Sequence, residues 1–148
     1  FRDEGITVIS GFHSPMEQEC LRILLRATQP VVWCLARGLY RKTPTKPVDC
    51  RPAVDEGRLV MVTPFPDTVT HITRETAMQR NRVVAELARA VVVAHAAPGS
   101  KMEALCHDLL AGGKSIYTFD HPANAALMRA GARSVNLLDI TEWAGPNT

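Results

Sequence analysis

The chain has 148 residues and a formal net charge of +2, with 46% hydrophobic and 22% charged residues. This length lets one domain bury a core without disulfides or metals, and the composition argues against disorder. The charge balance argues against a polybasic nucleic-acid binder but leaves room for a local basic patch. The longest apolar stretch, Ala90–Ala97, is too short to span a bilayer, and no secretory signal opens the chain. We therefore expect a cytoplasmic protein that makes no use of a membrane.

Short apolar or β-branched runs alternate with helical patterns along the chain. The runs are too continuous for half-exposed antiparallel strands and are typical of strands buried on both faces of a parallel sheet. The predicted strands are Ile6–Ser10, Val31–Ala36, Leu59–Thr63, Ala90–His95, Ser115–Phe119 and Ser134–Leu138. The predicted helices are Ser14–Thr28, Thr70–Arg89, Ser100–Ala111 and Pro122–Ala130. This order predicts an α/β fold with an open, mostly parallel sheet.

The segment Tyr40–Pro52 interrupts this alternation. It contains three prolines and four cationic residues, two of which are Lys42 and Lys46. Such a composition predicts an exposed, semi-rigid basic loop. The four cysteines are widely spaced and form no CxxC pair, so they predict buried thiols in a reducing compartment.

Two strand-to-helix junctions have the features of anion sites. The first, Ser10–Glu17, has Gly11 at the turn and a capping box, and the second, Ala97–Glu103, has Gly99 followed by a capping box that begins at Ser100. Helix N-termini at the carboxyl edge of a parallel sheet present free backbone N–H groups and the positive end of the helix dipole. For either junction alone, capping that only prevents fraying is the better interpretation. The pair together favours a phosphate crevice.

A third group consists of Arg80, Asn81 and Arg82. Asparagine is a poor residue for a helix interior, so we predict that Asn81 is the N-cap of a helix over Arg82–Arg89. Arginine side chains beside a phosphate crevice make paired hydrogen bonds to phosphate oxygens. The alternative is a solvated helix face, but the asparagine between the arginines favours binding.

The sequence contains no recognisable catalytic or cofactor motif. The five histidines lack metal-ligand spacing, and neither GxGxxG nor a P-loop occurs. We therefore expect no metal, no cofactor and no catalytic residue. Aromatic residues make up 5% of the chain, so a broad base-stacking platform is not expected, and Phe12, Phe65 and Tyr40 are the candidates for contact with bases.

The sequence resembles the DNA-processing protein A family, also called DprA or Smf, from about Gly5 to about Val135. Gln79–Ala85 with Leu87 matches the most specific string of the family, Arg-Arg-Asn-Arg-Ile-Ile-Ala-x-Leu. The other matching strings are Ile6–Gly11, Val32–Leu39, Thr63–Pro66, Ala90–Ala96 with Gly99–Ser100, and Asn124–Ala132. The resemblance implies a Rossmann-like, open, mostly parallel sheet with helices on both faces, in a single domain over residues 1–148.

The sequence departs from the family pattern at several places. The first strand of the family, which ends Gly-Ser-Arg, and the helix after it should precede Gly5, so we expect a shortened homologue or a fragment. Phe12–Pro15 stands where the family has Ala-Arg-Gly-Ile-Asp, and His95 stands where it has Glu.

The resemblance implies a binding module rather than an enzyme. The module would hold single-stranded DNA or a nucleotide phosphate and would act in DNA uptake, transformation and recombination, with a RecA-type recombinase as partner. We also expect a homo-oligomer. The residues implied in phosphate or nucleic-acid binding are Ser10, Gly11, Gly99 and Ser100 through the turns, Arg80, Asn81 and Arg82 beside them, and Lys42, Lys46 and Arg51 as an extended track.

Two alternatives remain open at this stage. The Lonely Guy phosphoribohydrolases carry Pro-Gly-Gly-x-Gly-Thr-x-x-Glu, of which Pro98–Glu103 keeps the first two residues and a Glu at a shorter spacing. This partial match suggests a free-nucleotide sensor or a relative of those hydrolases. The other alternative is a structural remnant that binds only a protein partner through an exposed strand edge.

Overall fold

The structure is a computed structural model that describes residues 5–136. The chain divides into two compact units, with the boundary between Val84 and Ala85. Each unit is described by itself. That residues 1–148 fold as a single domain stays a prediction.

The first unit contains a three-stranded parallel sheet in the order β1-β2-β3. Its elements are β1 (Val8–Ser10), α1 (Pro15–Leu24), β2 (Val31–Cys34), α2 (Arg51–Asp55) and β3 (Leu59–Val62), followed by the start of α3 (Arg74–Leu87). Val31 of β2 pairs with Val8 on one side and with Leu59 on the other. Parallel neighbours place all three carboxyl ends at one edge of this sheet.

The core of the first unit forms around the central strand β2. Val31 and Trp33 of this strand pack with Leu21 and Leu24 of α1, because the buried positions of α1 lie three residues apart on one face of the helix. The remaining buried members of this core are Phe12, Leu35, Cys50, Ala53 and Leu59.

The second unit contains another parallel sheet, in the order β4-β5-β6. Its elements are β4 (Ala90–Val93), α4 (Lys101–Ala111), β5 (Ser115–Thr118), a 3₁₀ turn (Pro122–Asn124), α5 (Ala125–Arg129) and β6 (Arg133–Ser134). Asn124 is buried and donates to the carbonyls of Ala94 and Phe119, so it ties together the ends of β4 and β5.

These elements confirm the α/β class and the Rossmann-like fold. Five of the six strands occur where an apolar run predicts them, and they are shorter, since residues such as Leu35 and Ala36 are buried in the turn after their strand. The sixth, β6, overlaps its predicted run at Ser134 alone. The strands hydrogen-bond as two sheets of three, whereas the sequence suggested one sheet. The end of the predicted strand Ser134–Leu138 lies outside the described residues.

Three sequence expectations are corrected by the structure. Asn81 is not an N-cap, because α3 runs without a break from Arg74 to Leu87 and its start lies beside Thr73, whose hydroxyl accepts a hydrogen bond from the backbone of Thr76 at 3.1 Å.

The segment Tyr40–Pro52 is not wholly exposed. Its Cys50 is fully buried in the core, and its last two residues begin α2.

The third correction concerns the cysteines. Cys34, Cys50 and Cys106 are buried free thiols, as expected, but Cys20 is exposed on α1. Within residues 5–136, none of the helices has the length and apolar character needed to cross a bilayer.

Candidate functional site

A cavity of about 570 Å³ opens at the carboxyl edge of the first sheet. Its walls come from the turn after β1, the turn after β2, the basic loop, α1 and α3. The lining residues are Gly11, Phe12, His13, Gln18, Arg22, Trp33, Leu35, Ala36, Arg37, Tyr40, Lys46, Pro47, Ile72 and Arg80. All of them belong to the first unit, and a cavity of this volume is in the range that holds small ligands.

Cationic side chains dominate the charge of this cavity, and one of them, Arg22, also forms an ion pair with Glu19, with 2.7 Å between Nη1 and Oε2. Its lining includes the cationic side chains of Arg22, Arg37, Lys46 and Arg80, and no aspartate or glutamate is among the lining residues. Clefts lined by one sign of charge concentrate ligands of the opposite sign. The geometry therefore favours an anionic ligand.

Arg80 lies at the base of this site and is held by the backbone around it. Its side chain is only 5% exposed, and its Nη1 donates to the carbonyl of Cys34 at 3.3 Å. Its Nε donates to Oδ1 of Asn81 at 2.8 Å. A Cβ on Gly11 would lie 1.3 Å from Arg80 Nη1, so only glycine leaves room for this guanidinium.

The sequence assigned Gly11 to a tight turn and to phosphate binding. The structure adds a packing role for this residue, and phosphate binding by Gly11 stays a prediction. Gly11 admits Arg80, and its carbonyl accepts a hydrogen bond from Trp33 Nε1 at 2.9 Å. The positive φ of this turn, 43°, belongs to the next residue, Phe12. Arg80 and Asn81 therefore brace the turn after β1 and the end of β2. Their direct contact with a ligand stays a prediction.

Burial lowers the pKa of Arg80, and the nearby charge of Glu17 opposes that shift. For Glu17, hydrogen bonds and charge outweigh the effect of burial on the pKa. Burial alone would raise its pKa, but hydrogen bonds from Ser10 and Ser14, together with the charge of Arg80, bring the pKa below its usual range. Glu17 is therefore a stable carboxylate at the N-terminus of α1.

This carboxylate uses the donors that the sequence assigned to phosphate at the first junction. Ser10 Oγ donates to Glu17 at 2.7 Å, and the backbone N–H of Ser14 donates to the same carboxylate at 2.9 Å. The predicted capping box of α1 is confirmed. A phosphate at this helix end would have to displace Glu17, so binding by Ser10 stays a prediction.

The second junction, in the second unit, has a related arrangement, but the capping box predicted there is only half formed. Ser100 accepts from Glu103, whereas the Glu103 carboxylate accepts from Gly99 and not from the N-cap Ser100, whose own N–H donates to the carbonyl of Ala97 at 3.0 Å. The backbone N–H of Gly99 donates to Glu103 Oε2 at 2.7 Å, and Ser100 Oγ accepts from the backbone of Glu103 at 3.1 Å. Gly99 has a φ of 73°, which suits glycine. Here too a carboxylate satisfies the N–H group that was assigned to a ligand, and phosphate binding by Gly99 and Ser100 stays a prediction.

The remaining predicted residues are distributed differently. Lys46 is exposed and lines the cavity, whereas Lys42 is exposed but is not among the lining residues. Arg82 is exposed on α3, two residues after the buried Arg80, as expected for side chains on different helix faces. The structure thus brings Gly11, Arg80 and Lys46 to one cavity.

Several lining residues were not singled out as site residues from the sequence. Arg22 reaches the cavity from α1 because its Nε and Nη2 donate to the carbonyl of Pro47, at 3.2 and 3.1 Å. Arg37 follows β2 and lies over the ring of Tyr40, with its Cζ 4.9 Å from the ring centroid. The sequence signal that could have identified Arg37 is its position directly after a buried strand, because the turns that follow parallel strands meet at one edge of the sheet. For Arg22 the sequence carried no signal.

The comparisons with known proteins address the family directly. Residues 1–138 match the sequence profile of the family described as DNA recombination-mediator protein A. The chain belongs to this family. The match confirms the resemblance to DprA that the sequence motifs indicated, and it extends over nearly the whole chain.

A solved structure shares the fold of this family member. The X-ray structure of DNA processing protein A (DprA) from Streptococcus pneumoniae superimposes with a TM-score of 0.68 at 17% sequence identity. The alignment covers 88% of this chain and 48% of the pneumococcal protein, so the chain spans about half the length of that relative. No curated protein sequence matches the chain.

Proposed function

We propose that this DprA-family chain binds single-stranded DNA through the cation-lined cavity of its first unit and acts as a recombination mediator. One observation carries the proposal: four cationic side chains and no carboxylate line a cavity of about 570 Å³ in a chain of this family. The proposal assigns binding rather than catalysis to this cavity.

The chemistry of the cavity suits a nucleic-acid strand. Cationic side chains neutralise phosphates, which supplies affinity without sequence preference. Trp33 and Tyr40, whose ring centroids lie 6.3 Å apart, form an aromatic wall beside these charges. Trp33 is only 6% exposed and belongs to the core, so Tyr40, which is half-buried, is the side chain of the two that a base can reach, and an aromatic face accepts any base.

The other predicted residues take supporting places in this proposal. Lys46 contributes charge at the cavity, and Lys42 and Arg82 extend the positive surface beyond it. Arg80 and Asn81 hold the turn that forms the cavity base. A role in DNA uptake, a RecA-type recombinase as protein partner and assembly as a homo-oligomer belong to the same proposal, since they are what the family resemblance implies.

Fluorescence anisotropy with a labelled oligo(dT) strand tests the DNA ligand. We expect binding at low salt that weakens as salt rises, with a log–log slope of about 0.7 per neutralised phosphate. A chain that fails to bind oligo(dT) at low salt but binds a nucleoside monophosphate would show a nucleotide sensor instead.

A matched pair of lysine variants tests the location. Lys46→Ala should weaken binding of oligo(dT) and lower the salt slope, because Lys46 lines the cavity. Lys101→Ala removes the same charge from an exposed position on α4 and should have a smaller effect. Equal losses in the two variants would contradict the assignment of the cavity.

A further inference from the structure

Arg37 differs from the other two arginines of the cavity in the state of its Nε atom. In Arg22 this N–H donates to the carbonyl of Pro47, and in Arg80 it donates to Asn81. In Arg37 the Nε is buried and has no hydrogen-bond partner among the residues that the structure describes. A buried donor without a partner is costly, so such a group in a native protein calls for an explanation.

The aromatic side chains beside it place the Arg37 guanidinium at the cavity. Its Cζ lies 4.9 Å from the centroid of Tyr40, within the range of a cation–π contact. Tyr40 in turn lies against Trp33, and Trp33 meets Phe12 edge to face with ring centroids 6.2 Å apart. Stacking on an aromatic face leaves the N–H edge of a guanidinium available to an acceptor in its plane.

The backbone of Arg37 is fixed as well. Thr63 Oγ1 donates to the carbonyl of Arg37 at 2.5 Å, and the backbone N–H of Gly38 donates to Val69 at 2.8 Å. A Cβ on Gly38 would lie 2.6 Å from the backbone of Asp67, so the chain packs closely against the next loop at this point. The guanidinium therefore projects from a firmly held turn.

We propose that Arg37 is the residue that clamps a phosphate ester of the bound nucleotide, with Tyr40 holding its guanidinium in place. This inference rests on the proposed function and sharpens it. Arg80, which the family string singled out, braces the site. Arg37 lines the cavity, and its terminal Nη groups are the donors offered to a phosphate oxygen, since its Nε is buried out of reach of a ligand. The same chemistry would recognise a phosphodiester of single-stranded DNA or the phosphate of a free nucleotide.

Arg37 variants of the full chain test this proposal, with oligo(dT) and thymidine monophosphate as the two probes. Arg37→Ala should weaken binding of the preferred probe at least about tenfold, which corresponds to ~1.4 kcal/mol. On oligo(dT) it should also lower the salt slope by about 0.7, the contribution of one phosphate. Arg37→Lys keeps the charge but not the planar fork, so it should keep the slope and recover only part of the affinity. Tyr40→Leu should weaken binding less than Arg37→Ala does.

Arg129→Ala is the matched control, because Arg129 is exposed on α5 and is not among the cavity residues. Circular dichroism melts confirm that each variant is folded, and Arg37→Gln replaces the alanine variant if that variant is not. If the wild-type chain binds oligo(dT) and Arg37→Ala weakens that binding no more than Arg129→Ala does, the clamp is overturned. The DNA proposal then remains intact. Binding of thymidine monophosphate alone, lost on Arg37→Ala, would support the clamp and overturn the DNA proposal. Binding of neither probe by the wild-type chain would overturn both.

Discussion

Replacing Gly11 with alanine tests whether this glycine exists to admit Arg80. The new Cβ would lie 1.3 Å from Nη1, 1.9 Å from Cζ and 2.6 Å from Nη2 of Arg80. The guanidinium would have to move by about 2 Å to restore ordinary contact distances. That movement breaks the hydrogen bond from Nη1 to the carbonyl of Cys34, now 3.3 Å long and buried.

The expected magnitude follows from these two changes. Loss of a hydrogen bond from a charged group costs about 1.5–3 kcal/mol. A Gly-to-Ala change at a compatible backbone position would by itself stabilise the folded state by about 0.4–1 kcal/mol. The free energy of unfolding should therefore fall by about 0.5–2.6 kcal/mol, and for a chain of this size the Tm should fall by roughly 1–10 °C.

Urea denaturation followed by circular dichroism measures this change, and Arg80→Ala supplies the decisive background. Without the guanidinium, the three atoms nearest to the alanine Cβ at position 11 are gone, so Gly11→Ala should become neutral or slightly stabilising there. Gly112→Ala is the control, because its nearest obstacles lie at an ordinary 3.5 Å and its φ is −78°. If Gly11→Ala costs the same with and without Arg80, the steric explanation is wrong.

Three further predictions follow from contacts of the described residues. Asn81→Ala should lower the free energy of unfolding by about 0.8–2.3 kcal/mol, because a buried, charged Nε of Arg80 that loses its acceptor costs about 1.5–3 kcal/mol and the better helix propensity of alanine returns only about 0.7 kcal/mol; an unchanged stability in urea denaturation would contradict this. The pKa of Glu17 is lowered by folding, so its contribution to stability is present above about pH 5 and is lost as pH falls through the lowered pKa. Glu17→Gln should remove that part of the acid-side dependence, and an unchanged stability profile over the same pH range would refute it. Burial raises the pKa of all four thiols, that of Cys50 to about 11, so exposure decides which one reacts. Cys20 is exposed and the other three are buried, so a thiol reagent at about pH 8 should label Cys20 alone in the native chain; rapid labelling of more than one would show that the core opens.

The sequence by itself determined the family and the order of elements. Apolar runs placed the first five strands, because strands buried on both faces leave a continuous signal that needs no knowledge of their neighbours, whereas the run Ser134–Leu138 shares only Ser134 with β6. The capping box at Ser14 was also local enough to predict, since it joins residues three positions apart, whereas at Ser100 only the hydrogen bond from the backbone of Glu103 to Ser100 Oγ is formed.

Only the tertiary structure decided which residues form the site. The role of Gly11 depends on Arg80, which lies 69 positions later in the chain, and no local pattern reports that contact. Asn81 was expected to cap a helix because its propensity favours a helix start. It lies within α3 instead, where its side chain accepts a hydrogen bond from Arg80. The unpaired Nε of Arg37 became visible only once the turn after β2 was placed beside Tyr40, because burial and missing partners are properties of packing rather than of residue order.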